Sequence, residues 1–245
     1  METAKESISS FVYQRRGVCP ICEGRVVFKA TNSWLRDHLH CPGCHSIPRE
    51  RALALVLFKE FSDWANLTIH ESSPLNRGIS LRLAKECDNY VATHFFPDEK
   101  LGTETKGYRN EDLENQTFDS NVFDLVVSLD VMEHVNRPDR CFQEIERTLR
   151  PGGAYVFTTP TFKGKLQSQR RAKFLSNSEI EFFFPPEYHD NPVDGKGSLV
   201  TFHFGYDLPE LIYSWSGMDT VVLRFQDHYH GIIGEFTEVY ISCKR

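Results

Sequence analysis

The sequence contains no apolar run approaching the roughly 18 residues needed to span a membrane, so no membrane partner is expected. The opening METAKESISSFVYQRRG has no apolar core followed by a small-residue cleavage site, and no secretory signal is expected there. Internal repeats and low-complexity tracts are absent as well. A basic excess is also missing. The net charge of −6 disfavours a broad nucleic-acid surface and leaves only a local one open. What is present is ordinary for a soluble globular protein, with 40% hydrophobic and 25% charged residues. The 245 residues suffice for one α/β domain plus a small appendage, and they are compatible with a homodimer.

Cysteine is unevenly spread. Four of the seven lie in Cys19-Pro20-Ile21-Cys22 and Cys41-Pro42-Gly43-Cys44, while Cys87, Cys141 and Cys243 are scattered and read as small buried hydrophobes. Without a secretion signal, paired C-x-x-C motifs point to a cytoplasmic metal site rather than to disulfides. Eighteen residues separate the pairs, which is typical of a four-cysteine zinc site. Each motif makes a tight turn offering two thiolates, and two such turns complete a tetrahedron. His38, His40 and His45 are available to replace one thiolate, but four cysteines already satisfy the ion. A closed site of this kind leaves no position for substrate, so its expected role is structural. Zinc would hold together residues 17–48, which carry too few apolar side chains to fold alone. The expected division is a zinc-binding subdomain over 1–48 and a larger domain over 49–245. Residues 1–60 carry a mild basic excess, and a scaffold role is favoured over an RNA grip.

The most informative stretch runs from Phe123 to Pro160, FDLVVSLDVMEHVNRPDRCFQEIERTLRPGGAYVFTTP. Phe123–Leu129 is a short apolar, β-branched run that predicts a buried strand. An acid-rich turn with Asp130, Glu133 and His134 follows. Pro138 suits the first turn of a helix, where its missing N–H would be unpaired anyway. Phe142, Ile145 and Leu149 form one apolar helical face. Pro151-Gly152-Gly153 is expected to stop that helix, and Ala154–Thr158 to supply a second buried strand. Together they make a βαβ unit, in which ligands sit beyond the carboxyl ends of the strands. The acids and the histidine fall at that end.

This stretch resembles the class I S-adenosylmethionine-dependent methyltransferases, especially their small-molecule branch. There a segment of the form FDLV…D-V-x-E-H-V…P…EI-x-R-x-L-x-P-G-G covers strand 4, the following helix and strand 5. The resemblance spans about forty contiguous residues. It implies an α/β fold with a Rossmann-like, seven-stranded sheet. The rest of the chain can be laid on that plan. Pro48–Trp64 reads as an amphipathic helix with Leu53, Leu57 and Phe61 at spacing four. Leu67–His70, Tyr90–Thr93 and the segment near Tyr108 to Asp112 read as strands 1 to 3, with a helix through Ile79–Glu86 after the first. Near the C terminus a helix is predicted at Leu208–Trp215. Strands at Thr220–Phe225 and Glu235–Ser242 resemble the antiparallel hairpin that closes the methyltransferase sheet.

The resemblance also implies cofactor contacts, with two departures. The acid ending strand 1 is Glu71, but the loop after it, Ser72-Ser73-Pro74-Leu75-Asn76-Arg77-Gly78, has only one glycine instead of the family's glycine-rich turn. Ser72 and Ser73 are small hydroxyl donors that allow close approach of the methionine portion, and Arg77 suits its carboxylate. After strand 2 the family usually has an acid on the ribose. Here His94 and Phe95 stand in its place, with Asp98 able to reach back. The family's D-L pair after strand 3 maps onto Asp112 and Leu113, whose carboxylate and backbone N–H would take the adenine.

Methyl transfer from a sulfonium is an in-line displacement, so alignment supplies much of the rate, and a base is needed only if the acceptor must lose a proton. Asp130 is expected at the strand tip, facing the methyl group, and His134 has an unperturbed pKa near 6.5, convenient for a base. The trio has a second reading. D-x-x-E-H is similar to the E-x-x-E-H segment by which ubiquinone O-methyltransferases and small-RNA 3′-end methyltransferases hold a divalent cation, and its oxygens and imidazole suit Mg²⁺ or Mn²⁺. The insertion Thr161–Phe204, rich in aromatics, Pro and His, is expected to form a lid over the acceptor, with Tyr188, His189 and His203 as candidate contacts. His228, His230 and the run Gln169–Lys173 are weaker candidates. The function expected is S-adenosylmethionine-dependent methyl transfer to oxygen or nitrogen of a small molecule, a sugar or secondary-metabolite-like acceptor. The alternatives are an RNA methyltransferase gripping its substrate with the ribbon, and a non-catalytic member in which the altered loop no longer binds cofactor.

Overall fold

The computed structural model describes residues 11–175, 179–189 and 197–245. The first ten residues, on which the expected absence of a signal rests, and 176–178 and 190–196 of the expected lid lie outside the described residues. A hairpin of β1 (Tyr13–Val18) and β2 (Arg25–Ala30) leads to a single-turn helix α1 (Leu35–His38). Helix α2 (Pro48–Glu60) follows, with Pro48 at its start as its fixed φ favours. It ends a turn earlier than expected, because Ser62 and Asp63 favour turns, and Trp64–Asn66 forms a separate 3-10 turn.

Then come β3 (Thr68–Ser72), α3 (Gly78–Glu86), β4 (Asn89–His94), β5 (Glu104–Thr105), β6 (Tyr108–Asn110) and β7 (Phe123–Leu129). After these lie α4 (Pro138–Thr148) and β8 (Leu149–Thr158). The described part of the insertion holds six short strands: β9 (Gln169–Arg170), β10 (Ala172–Phe174), β11 (Ile180–Phe182), β12 (Tyr188–His189), β13 (Ser198–Leu199) and β14 (Phe202–His203). They form antiparallel pairs β9·β14, β10·β11 and β12·β13. The chain closes with α5 (Leu208–Ser216), β15 (Asp219–Arg224) and β16 (Glu238–Cys243).

The central sheet runs β15-β16-β8-β7-β3-β4-β6-β5 and has eight strands rather than seven. The extra one is the two-residue β5, which turns back antiparallel onto β6 at the edge. Strands β8, β7, β3, β4 and β6 are mutually parallel, whereas β16 and β15 run antiparallel. Residues of β7 alternate between two cores, as a strand buried on both faces must. Leu125 and Val127 face α2 and α3, while Val126 packs with Phe142, Ile145 and Tyr155 on the α4 side.

The Pro151-Gly152-Gly153 segment does not precede β8 but lies inside it. Pairing with β7 jumps from Phe123↔Leu149 to Leu125↔Ala154, so the segment is accommodated as a bulge. Gly153 is packed so closely that a Cβ would meet the carbonyls of Arg150 and Asp124 at 2.9 Å. The irregularity leaves the downstream strand in phase, and Asp130 stays opposite Thr158 at the tip.

Candidate functional site

The two C-x-x-C turns are built alike. In the first, Glu23 N–H returns to the Cys19 carbonyl and Cys19 N–H donates to Gly24; in the second, His45 returns to Cys41 and Cys41 donates to Ser46. Glu23 and His45 occupy the left-handed region at matching positions, with φ of 59° and 58°. The folded turns converge four sulfurs, with Cys19–Cys44 at 3.6 Å and Cys22–Cys41 at 3.7 Å. Zn–S bonds of about 2.3 Å in a tetrahedron require sulfurs about 3.8 Å apart, whereas a disulfide requires about 2 Å. The donor set therefore fits zinc, and the four sulfurs cluster without His45, whose backbone N–H serves the turn. Beside it lies Arg51, fully buried, donating to the carbonyls of Ser46, Leu39 and Gly231 and stacked on Phe28 at 4.5 Å. Burial pulls its pKa down to about 10 against the opposing charge of the cysteines. A buried cation suits a neighbour that carries net negative charge, as four thiolates on zinc do.

This ribbon is not a free appendage. Cys19, Ile21, Phe28 and Leu39 share one buried cluster with Leu53 and Leu57 of α2 and Ile79 of α3. Cys44 offers its carbonyl to Gly78 N–H at 3.1 Å, at the start of α3. Gly78 has φ +54°, and a Cβ there would lie 2.1 Å from Glu50 of α2. The one glycine of the Glu71–Gly78 loop is thus demanded by contact with the ribbon side. Arg77 pairs with the buried Glu50 at 2.7 Å, so its charge is already partnered.

At the carboxyl end of β3, Glu71 is buried and accepts from Ser80 at 2.5 Å and from Tyr90 at 2.7 Å, tying β3 to α3 and β4. Ser72 is buried, and Ser73, at φ +58°, donates its N–H to Thr93. Burial lifts the pKa of Glu71 to about 7, with its two hydroxyl partners opposing. The folded state then holds a proton that the unfolded chain releases near pH 4.5, so stability falls as pH rises between these values. The shift corresponds to about 3 kcal/mol. Denaturation midpoints at about pH 5 and pH 8 should differ for the wild type, and the difference should shrink in Glu71→Gln. An unchanged slope in the variant would assign the effect elsewhere.

His94 is buried, faces the Pro74 carbonyl and meets Tyr108 edge-on at 4.4 Å; burial lowers its pKa. Phe95 is half exposed and Asp98 exposed. Asn110, fully buried, bonds both the N–H and the carbonyl of Phe96 and shapes this loop. In the Glu111-Asp112 pair the two acids differ. Glu111 is buried and saturated by Arg109 and Thr117. Among the described residues the Asp112 side chain accepts only the Glu114 N–H, at 2.9 Å, while Leu113 packs into the core.

At the tip of β7, Asp130 takes a left-handed turn, φ +52°. One carboxylate oxygen accepts from Thr158 at 2.8 Å; the other is gripped by Arg36 of α1 and by Arg49 of α2, the latter at 3.0 Å. Burial opposes its charge, but the two arginines outweigh that and hold the carboxyl well below the usual carboxylate range. Glu133 lies in the 3-10 turn Met132–His134 that follows. Burial, together with the Asp130 charge, pushes its pKa up to about 8.

Glu71, Asp112 and Asp130 all stand at the carboxyl edge of the parallel strands, where doubly wound sheets bind ligands. Residues 79–157 match the methyltransferase domain family. The chain carries a methyltransferase domain. Its fold is that of the S-adenosylmethionine-dependent enzymes. It is similar to such a methyltransferase from Mesorhizobium loti at 18% identity and TM-score 0.50, over 79% of this chain and 98% of that one. It is also similar to 1,6-didemethyltoxoflavin-N1-methyltransferase of Burkholderia thailandensis, solved with 1,6-didemethyltoxoflavin and S-adenosylhomocysteine. That likeness is 13% identity and TM-score 0.47, over 80% and 78% of the two chains. No curated protein matches. No helix among the described residues is long and apolar enough to cross a membrane.

Within this methyltransferase domain, reasoning from sequence missed the elements reaching the site from outside it. Arg36 and Arg49 carry no motif, and the only signal was their place beside the zinc turns. His189, by contrast, comes to Glu133 and His134, its Nδ1 3.8 Å from Glu133 Oε1. Tyr188 is exposed, and His203 stacks on Phe162 at 4.0 Å while bonded to Glu187. The Gln169–Lys173 run is only partly a solvated face, since Arg170 lies over Phe202 and donates to the Asn136 carbonyl. His230 is tied to Asp227 at 2.6 Å, and His228 to Tyr13, both far along the chain from these acids.

Proposed function

We propose that this S-adenosylmethionine-dependent methyltransferase is a cytoplasmic enzyme that methylates an oxygen or nitrogen of a small molecule, with zinc in the four-cysteine ribbon as a structural ion. The observation that carries the reading is the enclosure of the β7 tip from two sides. On one side Arg36 and Arg49 close on Asp130. On the other, Thr201 of the insertion bonds the backbone carbonyls of Glu133 and Val135, fastening the lid to the turn. A walled site suits a compact acceptor better than a polymer laid across a surface, and the net charge of −6 agrees.

Asp112 is the residue for the adenine amino group, since only one of its oxygens carries a protein partner among the described residues. Leu113 would offer its N–H beside it. Glu71, Ser72, Ser73 and Gly78 frame the methionine portion, while His94 and Phe95 border the ribose. Zinc supplies a rigid crosslink between the two cysteine turns. For the acceptor, His134 is the candidate base; burial lowers its pKa and keeps it neutral, as a base must be before it acts.

Calorimetry with S-adenosylmethionine is the test. Binding should be measurable in the full chain and should weaken at least tenfold, about 1.4 kcal/mol, in Asp112→Ala. A folded protein that binds no cofactor would favour the non-catalytic reading instead. Copurification with bulk RNA that falls steeply with salt would favour an RNA substrate.

A further inference from the structure

The β1–β2 hairpin has two unlike faces. Its register places Tyr13, Val26, Phe28 and Ala30 on one of them, and these pack into the core beside α2. The other face carries the pairs Gln14↔Lys29, Arg16↔Val27 and Val18↔Arg25, which alternation along each strand turns away from that core. Arg16 and Arg25 are exposed and Lys29 is half-buried. Arg16 stands diagonally between the other two cations, at the roughly 7–8 Å that separates such neighbours on one sheet face. Like charges this close repel one another, and no carboxylate offsets them. Among the described residues neither Arg16 nor Arg25 has a side-chain ion-pair partner, and the Lys29 ammonium lies over the Phe11 ring at 4.8 Å. Two acids beside the hairpin are already taken. Glu23, in its turn, pairs with Arg82 at 2.8 Å, and Asp227, whose loop packs on Tyr13 and Gly17, holds His230 at 2.6 Å.

The patch is local. The whole chain has a net charge of −6, so three unpaired cations on one small face are a charge asymmetry rather than a general basic character. The face is also held in shape from beneath. Val18 and Arg25 flank the first cysteine turn, where Cys19 N–H donates to the Gly24 carbonyl at 3.0 Å, and Phe28 is fully buried with Arg51 over its ring. We propose that this outer face of the ribbon docks a partner protein through a short acidic segment, whose carboxylates pair with Arg16, Arg25 and Lys29. Three features of the face select this occupant. From Arg25 to Lys29 it spans only about 14 Å, at about 3.4 Å per residue. A short acidic stretch meets cations along its whole length there, whereas a longer polyanion would run onto the acidic remainder of the chain. Val18 and Val27 lie between the cations and offer apolar contact to peptide side chains. None of the six outward residues is aromatic, so the face lacks the stacking rings of single-stranded nucleic-acid sites. The two guanidinium groups supply the planar fork that pairs a carboxylate through two hydrogen bonds.

Hexaglutamate is the probe, titrated into the isotope-labelled, zinc-loaded full chain in about 0.1 M salt, where screening confines charge effects to about 10 Å. Amide resonances of Gln14–Val18 and Arg25–Lys29 should shift together and report one dissociation constant. Arg16→Glu combined with Arg25→Glu should raise that constant at least about tenfold, because two contact charges are reversed. Both side chains are exposed, so the variant is expected to fold, and its own amide spectrum verifies this. The same change of net charge made outside the hairpin, Lys59→Glu combined with Lys85→Glu, should leave the constant unchanged, since both lysines are exposed on helices. Absence of hairpin shifts in the wild type, or binding unaltered by the arginine reversal, would overturn the docking face. Tighter binding of hexauridylate than of hexaglutamate would overturn the choice of partner and make the face a nucleic-acid one. No cofactor or methyl acceptor is present in the titration, so its outcome is separable from the methyl-transfer reading.

Discussion

Stripping zinc, or making Cys41→Ser, should destabilise the whole domain and weaken cofactor binding with it. Structural zinc contributes about 10–16 kcal/mol in small zinc-binding units, comparable with the total stability of a domain, about 5–15 kcal/mol. Damage would be contained if the ribbon were tethered loosely, but three features transmit it. The buried side chains of the ribbon belong to the core beneath α2 and α3. Arg51, with no exposed surface, would lose the negative cluster beside it. Gly78 would lose the Cys44 carbonyl that fixes the start of α3. At this chain length each kcal/mol moves the melting temperature about 2–4 °C, so a fall of more than about 10 °C is expected. S-adenosylmethionine affinity should drop in parallel, because the Glu71–Gly78 loop is held from the ribbon side. The sign of the pH effect follows from ligand chemistry: protons compete for thiolates, so zinc should be lost on acidification. A Cys41→Ser protein with unchanged melting temperature and full cofactor binding would reduce the ribbon to an ornament.

The βαβ core was legible in the sequence because its signals are local. The run Phe123–Leu129 is apolar apart from Asp124 and Ser128, and Pro138 marks where α4 starts. Local reasoning erred where long-range pairing decided. Pro151-Gly152-Gly153 looks like a helix stop, yet Lys244 exchanges backbone hydrogen bonds with Gly152 and Gly153, and the segment continues β8 as a bulge. Likewise β5 is only two residues long and exists because β6 is there to pair with it.

In the site, the acids Glu71, Asp112 and Asp130 were readable because the resemblance to the methyltransferases places acids at those strand ends. Their partners were not. Nothing in the composition around Arg36 or Arg49 announces that their side chains cross to a residue about ninety positions away. The glycine-poor loop is intelligible only with α2 and the ribbon packed against it. Gly78 is kept because Glu50 fills the space a Cβ would need, and Ser73 occupies the left-handed position that a glycine-rich turn would otherwise supply.

Asp130 illustrates how the ribbon changes the chemistry of the strand tip. A free carboxylate there would be a candidate base, but this one is hydrogen-bonded by Thr158 and Arg36 and ion-paired with Arg49, and its proton affinity is depressed. Its expected role is to lock α1 and α2 onto β7. Asp130→Ala leaves Arg36 and Arg49 with only Asp37 as an ion-pair partner among the described residues, and breaking a buried pair of this kind costs about 3–5 kcal/mol. Because the folded pKa lies below the unfolded value of 3.8, the contribution is complete at neutral pH. It is lost as pH falls through the folded value. Denaturant titration at neutral pH should register the full loss, and the loss should be smaller when Arg36→Met is already present, since the two residues then no longer couple. The contrary result would be a normal unfolding midpoint with turnover abolished in Asp130→Ala. That would make Asp130 a catalytic residue and the arginines its tuning partners.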